Sequence, residues 1–489
     1  MSHRCQEVIS LKVIDSHCPG CSILCGLHII EDGDEIDIDF QKYCPINSGK
    51  LCKFGIDLPA IYKNCVETCM VDGELVCKDE CISAASRALK SWSSRSKGKN
   101  GLVLCLGDAT NEELLSLKDF ANALGMKCSS GLGHFVGNIT NVPLFHDFTG
   151  FDIIENSKNI ILISLDPYYQ YPLVARKLQM AKERGSCISS IGPEGSHLET
   201  ICENIDLCRP NEVLKRLREL SQHVDRFSLF ITQLGIYADP SIVAEINNIC
   251  SRTSSRVKYL KDYANSEASL AMGFDNYGKS IDEIVSEMES GVITALILVE
   301  SPLFDTYLDN DRFMKACEKL DTLVVIQSSM PKNLPSNAVL VPLEAFYRRK
   351  GTLINVCGRF ISMGGDLEGT PDVLRKIMAG LSSAPIGSFL DLTKRSREAY
   401  DSWSANNIGY EIVSVPEHNA LEGENIHLYV TNPYLLRGMG HQLVKRVGDR
   451  LYPEMLKKER YVVKQRVADG VVLSYQRDRR FKGIMGLYE

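Results

Sequence analysis

Cys18-Pro-Gly-Cys21-Ser-Ile-Leu-Cys25 places three thiols within eight residues, and Cys52 follows after 26 more. Three thiolates so close can wrap one face of a cubane cluster, and a distant fourth can close it. Thiolates suit iron–sulfur clusters and zinc alike, because both favour tetrahedral sulfur sites. Zinc ribbons pair two C-x2-C knuckles, whereas a C-x2-C-x3-C run with a remote fourth cysteine reads as one [4Fe-4S] cluster. Cys18, Cys21, Cys25 and Cys52 are therefore the expected ligands. Cys44 competes for the fourth place. Cys52 is preferred because Gly49 and Gly55 flank it as turn residues, and Lys53 beside it could offset a cluster's negative charge.

The whole chain carries 18 cysteines in 489 residues. Ten precede residue 82: Cys5, Cys18, Cys21, Cys25, Cys44, Cys52, Cys65, Cys69, Cys77 and Cys81. The start of the chain has no apolar signal-peptide core, and no stretch stays apolar for the ~18 residues a membrane span needs. A reducing, cytoplasmic setting with free or metal-bound thiols is expected, and the thiol load suits an anaerobe. The net charge of -7 and the lack of a long basic run exclude a nucleic-acid binder as the first expectation. Cys65-x3-Cys69 and Cys77-x3-Cys81 form a second symmetrical set, read either as another cluster or metal site or as a hairpin that happens to carry thiols.

Beyond the cysteines the pattern divides in three. Residues 1–80 read as a small strand-and-loop module, with hairpins expected around Glu31–Asp34 and around Asp72-Gly73. Residues 81–381 alternate helices with short apolar strands, beginning with a helix from Cys81 to Trp92 and a strand from Leu102 to Leu106. Near-continuous apolar strands between helices predict doubly wound, mostly parallel sheets, two rather than one. Residues 382–489 read as a looser region to Asn425, a strand at Ile426–Thr431, and a Lys- and Arg-rich end, either an incomplete barrel or a docking tail.

The cluster motif followed by this pattern resembles the molybdopterin oxidoreductase superfamily, which includes formate dehydrogenases, the B subunit of formylmethanofuran dehydrogenase and the large iron–sulfur subunit of respiratory complex I. The similarity runs from about Cys18 to Leu381. Ala109-Thr110-Asn111-Glu112-Glu113 looks like the strand-to-helix turn that faces the pterin. Ser164-Leu165-Asp166-Pro167 with Tyr171-Pro172 is similar to the "GSNP…HP" turn, and Asn265 to Gly273 to an "N..G" segment. Ala338 to Pro342 resembles "ADVVLP", and Gly351 to Arg359 resembles "EGTF.N.EGR". The resemblance implies an α/β fold: a small N-terminal iron–sulfur module, then doubly wound domains of molybdopterin-oxidoreductase type. It implies a molybdenum or tungsten bis-pterin guanine dinucleotide near Asn111, Glu112, Asp166, Asn355 and Arg359, and redox partner subunits in a larger complex.

The chain also departs from that pattern. Where the family places a cysteine or selenocysteine before a histidine as metal ligand, this sequence has Gly133-His134, with Cys128 five residues early. Where the family's "DPR" turn binds guanine, it has Gly192-Pro193-Glu194. The lysine expected two residues after the fourth cysteine is Lys53, one after it. Three functions follow. The first is an electron-transfer subunit that has lost its pterin metal centre. The second is an active dehydrogenase on formate or a formyl group, with His134 as acid/base beside the metal. The third is a scaffold whose cysteines hold zinc.

Overall fold

The computed structural model describes residues 11–63, 65, 68–96, 100–138, 150–192, 198–235, 238–307, 310–331, 333–381 and 386–406. The expected strand at Ile426–Thr431 and the basic end lie outside these residues.

Among the described residues seventeen strands follow one another. The first three are β1 (Lys12–His17), β2 (Gly26–Asp32) and β3 (Glu35–Phe40), which form an antiparallel sheet in that order. Next come β4 (Cys69–Val71), β5 (Glu74–Val76), β6 (Gly101–Cys105) and β7 (Lys127–Ser129). A middle group follows: β8 (Asn159–Ile163), β9 (Cys187–Gly192), β10 (Asn204–Leu207), β11 (Ser228–Leu234) and β12 (Arg256–Lys261). The last five are β13 (Ala295–Val299), β14 (Thr322–Gln327), β15 (Ala338–Pro342), β16 (Lys350–Ile354) and β17 (Phe360–Gly364). Both expected hairpins are present, and Asp72 and Gly73 take the positive φ of 50° and 83° that their tight turn requires.

Two larger sheets carry the fold. One has five parallel strands in the order β10-β9-β8-β11-β12. The other has seven, in the order β5-β4-β15-β14-β13-β6-β7, parallel except at its β4–β5 edge. The chain lays down β6 and β7, leaves to build the whole five-stranded sheet, and returns for β13 to β15. The five-stranded unit is thus an insertion within the seven-stranded one.

Alternation along the strands shows why helices cover both faces. Val103, Ile297 and Val324 point into one core, under the helices Lys78–Ser96, Asn111–Leu124 and Thr370–Leu381. Their neighbours Leu102, Leu104, Leu296, Leu298 and Val325 point into the opposite core, under Ile281–Glu289 and Asn310–Glu318. A strand buried on both sides has no polar face to show, which is what its apolar run records. The five-stranded sheet repeats the arrangement: Ile160, Leu162 and Ile231 face one core, Ile161, Ile163 and Phe230 the other. The first of these cores also takes in Ile23, Leu24, Leu51, Phe54 and Leu58, so the cysteine loops are packed directly against the inserted sheet.

Two sequence expectations need correction. The hairpin of β4 and β5 pairs through Val71 and Met70 with Val339 and Leu340 of β15. Residues 69–76 therefore belong to the seven-stranded sheet, and the N-terminal unit ends before them rather than at residue 80. The stretch after Leu381 was expected to be loose, but Phe389–Asn406 is an 18-residue helix. Its Leu392 joins the core beneath Asn111–Leu124, with Tyr400 and Trp403 packed against the same core.

Candidate functional site

Both large sheets present the carboxyl ends of their strands to the same region. The order of the seven-stranded sheet reverses between β6 and β13, and that of the five-stranded sheet between β8 and β11. In doubly wound folds ligands bind in the crevices at such points. The segment after β12 joins the two. Asn265 donates its backbone N–H to Gly107 O (2.8 Å) and its Nδ2 to Ala109 O (2.7 Å) and Asn111 Oδ1 (3.0 Å), while its Oδ1 accepts from Ile354 N (2.8 Å).

The cysteine loops close over this junction. Ser22, fully buried between Cys21 and Ile23, accepts at Oγ from Lys261 N (2.9 Å) and at its carbonyl from Val356 N (2.9 Å), and donates its own N–H to Lys261 O (3.3 Å). One residue thus ties the loop to the end of β12 and to the turn after β16. Within the loops, Cys18 N donates to Cys25 O (2.8 Å), and Gly20 N lies 3.4 Å from Cys18 Sγ. A Cβ on Gly20 would stand 2.6 Å from the Phe54 ring, so only glycine lets the Cys18–Cys21 turn meet the Cys52 segment.

Cys25 is the centre of the thiol group. Burial raises its pKa first, and the neighbouring Cys18, Cys21, Cys52 and Cys44 thiols raise it further. Burial also raises Cys52, against which the backbone N–H groups of Gly55 and Phe54, at the start of the short helix Lys53–Ile56, hydrogen-bond its sulfur. Such N–H donors favour thiolate over thiol and tune a bound cluster's potential. Among the described residues no three Cys, His, Asp or Glu side chains converge to the spacing of a single metal ion. Cys25 has Cys18, Cys21, Cys52 and Cys44 as its near neighbours, an all-thiol donor set of the chemistry an iron–sulfur cluster takes. Lys53 is nearly buried and its ammonium pairs with Asp57 one turn on.

The crevice of the seven-stranded sheet is filled by the chain itself. Thr110 and Glu113 cap the helix Asn111–Leu124 reciprocally: Thr110 Oγ1 accepts from Glu113 N (3.2 Å), and Glu113 Oε2 accepts from Thr110 N (2.8 Å). Asn111 Nδ2 donates to Thr352 Oγ1 (2.9 Å). The Glu112 carboxylate accepts from Thr352 N (2.7 Å), Thr352 Oγ1 (2.9 Å) and Ser396 Oγ (3.3 Å). Arg349 lies between Glu113 (3.2 Å) and Glu300 (3.6 Å). A helix N-terminus is a natural anion site, but three buried carboxylates and one guanidinium leave this one unsuited to a pyrophosphate.

The two departures noted in the sequence are built into the backbone. A Cβ at Gly133 would lie 2.1 Å from the carbonyl oxygen of Tyr277, so no ligand side chain can stand there. Gly192 has φ of 140°, and its Cβ would lie 3.0 Å from the Cα of Ser164. Pro193 and Glu194 lie outside the described residues. His134 is buried, donates from Nε2 to Ala238 O (3.4 Å), and is pushed down to about 4 chiefly by burial. Cys128 sits in the core beneath Asn111–Leu124, raised to about 12 by burial.

The remaining sequence candidates are placed as follows. Asp166 is buried and its backbone N–H donates to Gln170 Oε1 (2.8 Å). Asn355 is fully buried, its Oδ1 accepts from Cys357 N (3.0 Å) and Arg359 N (2.9 Å), and its Nδ2 has no acceptor. The Arg359 residue itself is exposed. Of the second cysteine set, Cys69, Cys77 and Cys81 lie together, whereas Cys65 bridges to Ser329 near Glu300 and Arg349.

Sequence reasoning missed Asp262, which follows β12 directly. It is fully buried, accepts from Tyr171 Oη (3.2 Å) and from Gln233 Nε2 at Oδ1, and its Oδ2 accepts nothing. Gln170 continues the chain by donating to Gln233. Tyr171 in turn lies within electrostatic reach of Cys21. Burial lifts Asp262 from 3.8 to about 7. An acid whose pKa is higher folded than unfolded stabilises the fold fully below the unfolded value, and that contribution is lost as pH rises through the folded one. The Asp262→Asn variant is therefore expected to gain on the wild type in melting temperature between about pH 4 and pH 7. Melts at about pH 5 and pH 8 that differ between the two proteins by the same amount would show that Asp262 does not titrate in this window.

Comparison with known proteins agrees with this architecture. The chain is 25% identical over 214 residues to the F420-dependent formate dehydrogenase subunit alpha of Methanocaldococcus jannaschii, covering 38% of this chain and 29% of that protein. It is 27% identical over 214 residues to the F420-dependent formate dehydrogenase 1 subunit alpha of Methanococcus maripaludis, with the same coverage. The matched segment thus spans less than a third of these relatives. Among solved structures, the acetylene hydratase of Pelobacter acetylenicus superposes with a TM-score of 0.51 at 12% identity, covering 93% of this chain and 81% of that one, a likeness of fold alone. The family model described as molybdopterin oxidoreductase matches residues 79–366, more than half of the sequence, and the chain belongs to that family.

Proposed function

We propose that this chain is an iron–sulfur electron-transfer subunit of a multisubunit oxidoreductase complex, built on the molybdopterin oxidoreductase frame without a working pterin metal centre. The observation that carries the reading is steric: at Gly133 and at Gly192, where the resemblance expects a metal ligand and a guanine acceptor, backbone packing excludes a side chain. The crevice of the seven-stranded sheet is closed by Glu112, Glu113, Glu300 and Arg349. What remains is the thiol group of Cys18, Cys21, Cys25 and Cys52.

A [4Fe-4S] cluster, when bound, takes up and releases one electron. The residues of this chain do the rest. Four thiolates hold it, the Phe54 and Gly55 amides stabilise the Cys52 sulfur, and Ser22 fixes the loop against β12 and the turn after β16. A carrier with one cluster and no substrate site needs a donor and an acceptor, hence partner subunits.

A second reading draws on two observations. The relatives are alpha subunits of formate dehydrogenases, and Asn355 keeps a buried Nδ2 without an acceptor. In that reading the chain is an active molybdenum or tungsten enzyme acting on formate or a formyl group, with Asn355 donating to the pterin. Elemental analysis of anaerobically purified protein separates the two. About four irons per chain with neither molybdenum nor tungsten is the expected result. Stoichiometric molybdenum or tungsten would overturn the proposal in favour of the second reading, and zinc without iron would sink both.

A further inference from the structure

Three thiols outside the cluster site meet where the hairpin of β4 and β5 runs into the helix Lys78–Ser96. Cys69 opens β4 and pairs across the hairpin with Val76, so Cys77 comes next to it. Cys81 closes the first turn of the helix, its N–H donating to Cys77 O (3.0 Å). The Cys69 and Cys81 thiols share a hydrogen bond, and Cys77 lies within electrostatic reach of both. Cys81 Sγ also donates to Leu340 O of β15 (3.1 Å). Cys69 and Cys81 are 5% and 0% exposed, whereas Cys77 is open to solvent. The group lacks the convergence a metal ion needs. It has instead the layout of a buried dithiol with an exposed thiol at its door.

We propose that Cys69 and Cys81 form a reversible disulfide, written and erased through Cys77 by a low-molecular-weight disulfide such as oxidised glutathione. The Cys77 thiolate attacks the external disulfide, forming a mixed disulfide and releasing one external thiol. The Cys81 thiol then attacks the Cys77 sulfur, and its proton leaves with the second external thiol. Cys69 finally attacks the Cys81 sulfur and returns Cys77 to the reduced state, its own proton passing to the Cys77 sulfur. Two protein thiols are oxidised and one external disulfide is reduced, so electrons and protons balance. Burial raises Cys81 to about 12 and raises Cys69 too, which keeps both unreactive toward bulk oxidants and makes the exposed thiol the entry point. The contact between their sulfurs means that the bond can form with little movement of β4 against the helix. Closing it would staple the sheet edge to the helix that covers it. This site does not depend on the reading of the cluster.

The test uses the full chain, purified anaerobically with its cofactor and treated with oxidised glutathione. Remaining thiols are alkylated, and the tryptic peptides are weighed. Trypsin cuts at Lys78, so a bond from Cys65, Cys69 or Cys77 to Cys81 holds residues 64–78 to the peptide that begins at Asp79, and fragmentation of that pair shows which of the three carries the bond and which are alkylated. The expected result is that pair, linked through Cys69 with Cys77 alkylated, in the wild type. In Cys77→Ser, an exposed substitution, the bond should form at least ten-fold more slowly. A wild type that carries glutathione on Cys77 and no internal bond would overturn the proposal. Formation at an unchanged rate in Cys77→Ser would remove Cys77 from the route and overturn it equally.

Discussion

Replacing Cys25 by serine should leave the protein without its cluster: colourless when purified anaerobically, with iron falling from about four per chain to near zero. Cys25 is where the other thiols converge, and it packs in the apolar core with Ile23, Leu24 and Leu27. A hydroxyl there is a poor ligand for iron. The informative comparison is between Cys52 and Cys44, since both lie close enough to raise Cys25. Cys52 has the amides of Phe54 and Gly55 aimed at its sulfur, an arrangement that stabilises a thiolate ligand. Cys44 instead packs over Gly26, where a Cβ would come within 2.7 Å of its sulfur, on the side where Asn47 fastens Gly26 through paired hydrogen bonds of 3.1 Å. Cys52→Ser should therefore lose the cluster, and Cys44→Ser should keep the iron and the electron paramagnetic resonance signal of the reduced state. The reverse pattern would move the fourth ligand to Cys44.

What could be read from the sequence was local. The cysteine spacing, the two hairpins and the apolar strands of the parallel sheets are all set by residues a few positions apart. The helix Phe389–Asn406 was legible as well, since Phe389, Leu392, Ser396, Tyr400 and Trp403 recur at helical spacing. It was passed over because charged residues fill the rest of it. The insertion of one sheet within the other was not legible, because the pairing of β6 with β13 joins residues nearly two hundred positions apart. For the same reason Ser22 and Asn265 looked like ordinary small polar residues. Their importance lies in bonds to Lys261, Val356, Asn111 and Ile354, which only the folded chain brings near. The second cysteine set was symmetrical in sequence and is not so in space, since Cys65 is drawn away to Ser329 while the other three stay with the hairpin. Asn111 and Glu112 stood in a motif that suggested a cofactor, yet each spends its hydrogen bonds on Thr352 and its neighbours.

Removing the guanidinium of Arg349 should be among the most destabilising single changes outside the cysteines, at about 3–5 kcal/mol. Arg349 is 1% exposed, stacks at 4.9 Å on the Phe346 ring, and reaches Glu113, Glu300 and the carbonyl of Asp108 (3.4 Å). In Arg349→Met a side chain of similar length fills the space, so the loss is electrostatic rather than a cavity. Two carboxylates are then left buried without their cation, and desolvation makes that expensive. Burial already raises Glu300, and Arg349 is the largest influence holding it down. Without Arg349 its folded pKa rises further above the unfolded value. By the linkage argument, the penalty of the variant should then be greatest at neutral and higher pH and should shrink as acid protonates the carboxyl. Neutralising the partners in the same background, as Arg349→Met with Glu113→Gln and Glu300→Gln, should recover a large part of the stability, because it is the uncompensated charge and not the missing ion pair that destabilises. Denaturant midpoints of the single and triple variants decide the matter. If the triple variant is no more stable than Arg349→Met, the crevice is held by the shape of the arginine and its hydrogen bonds, and the charge balance within it is incidental.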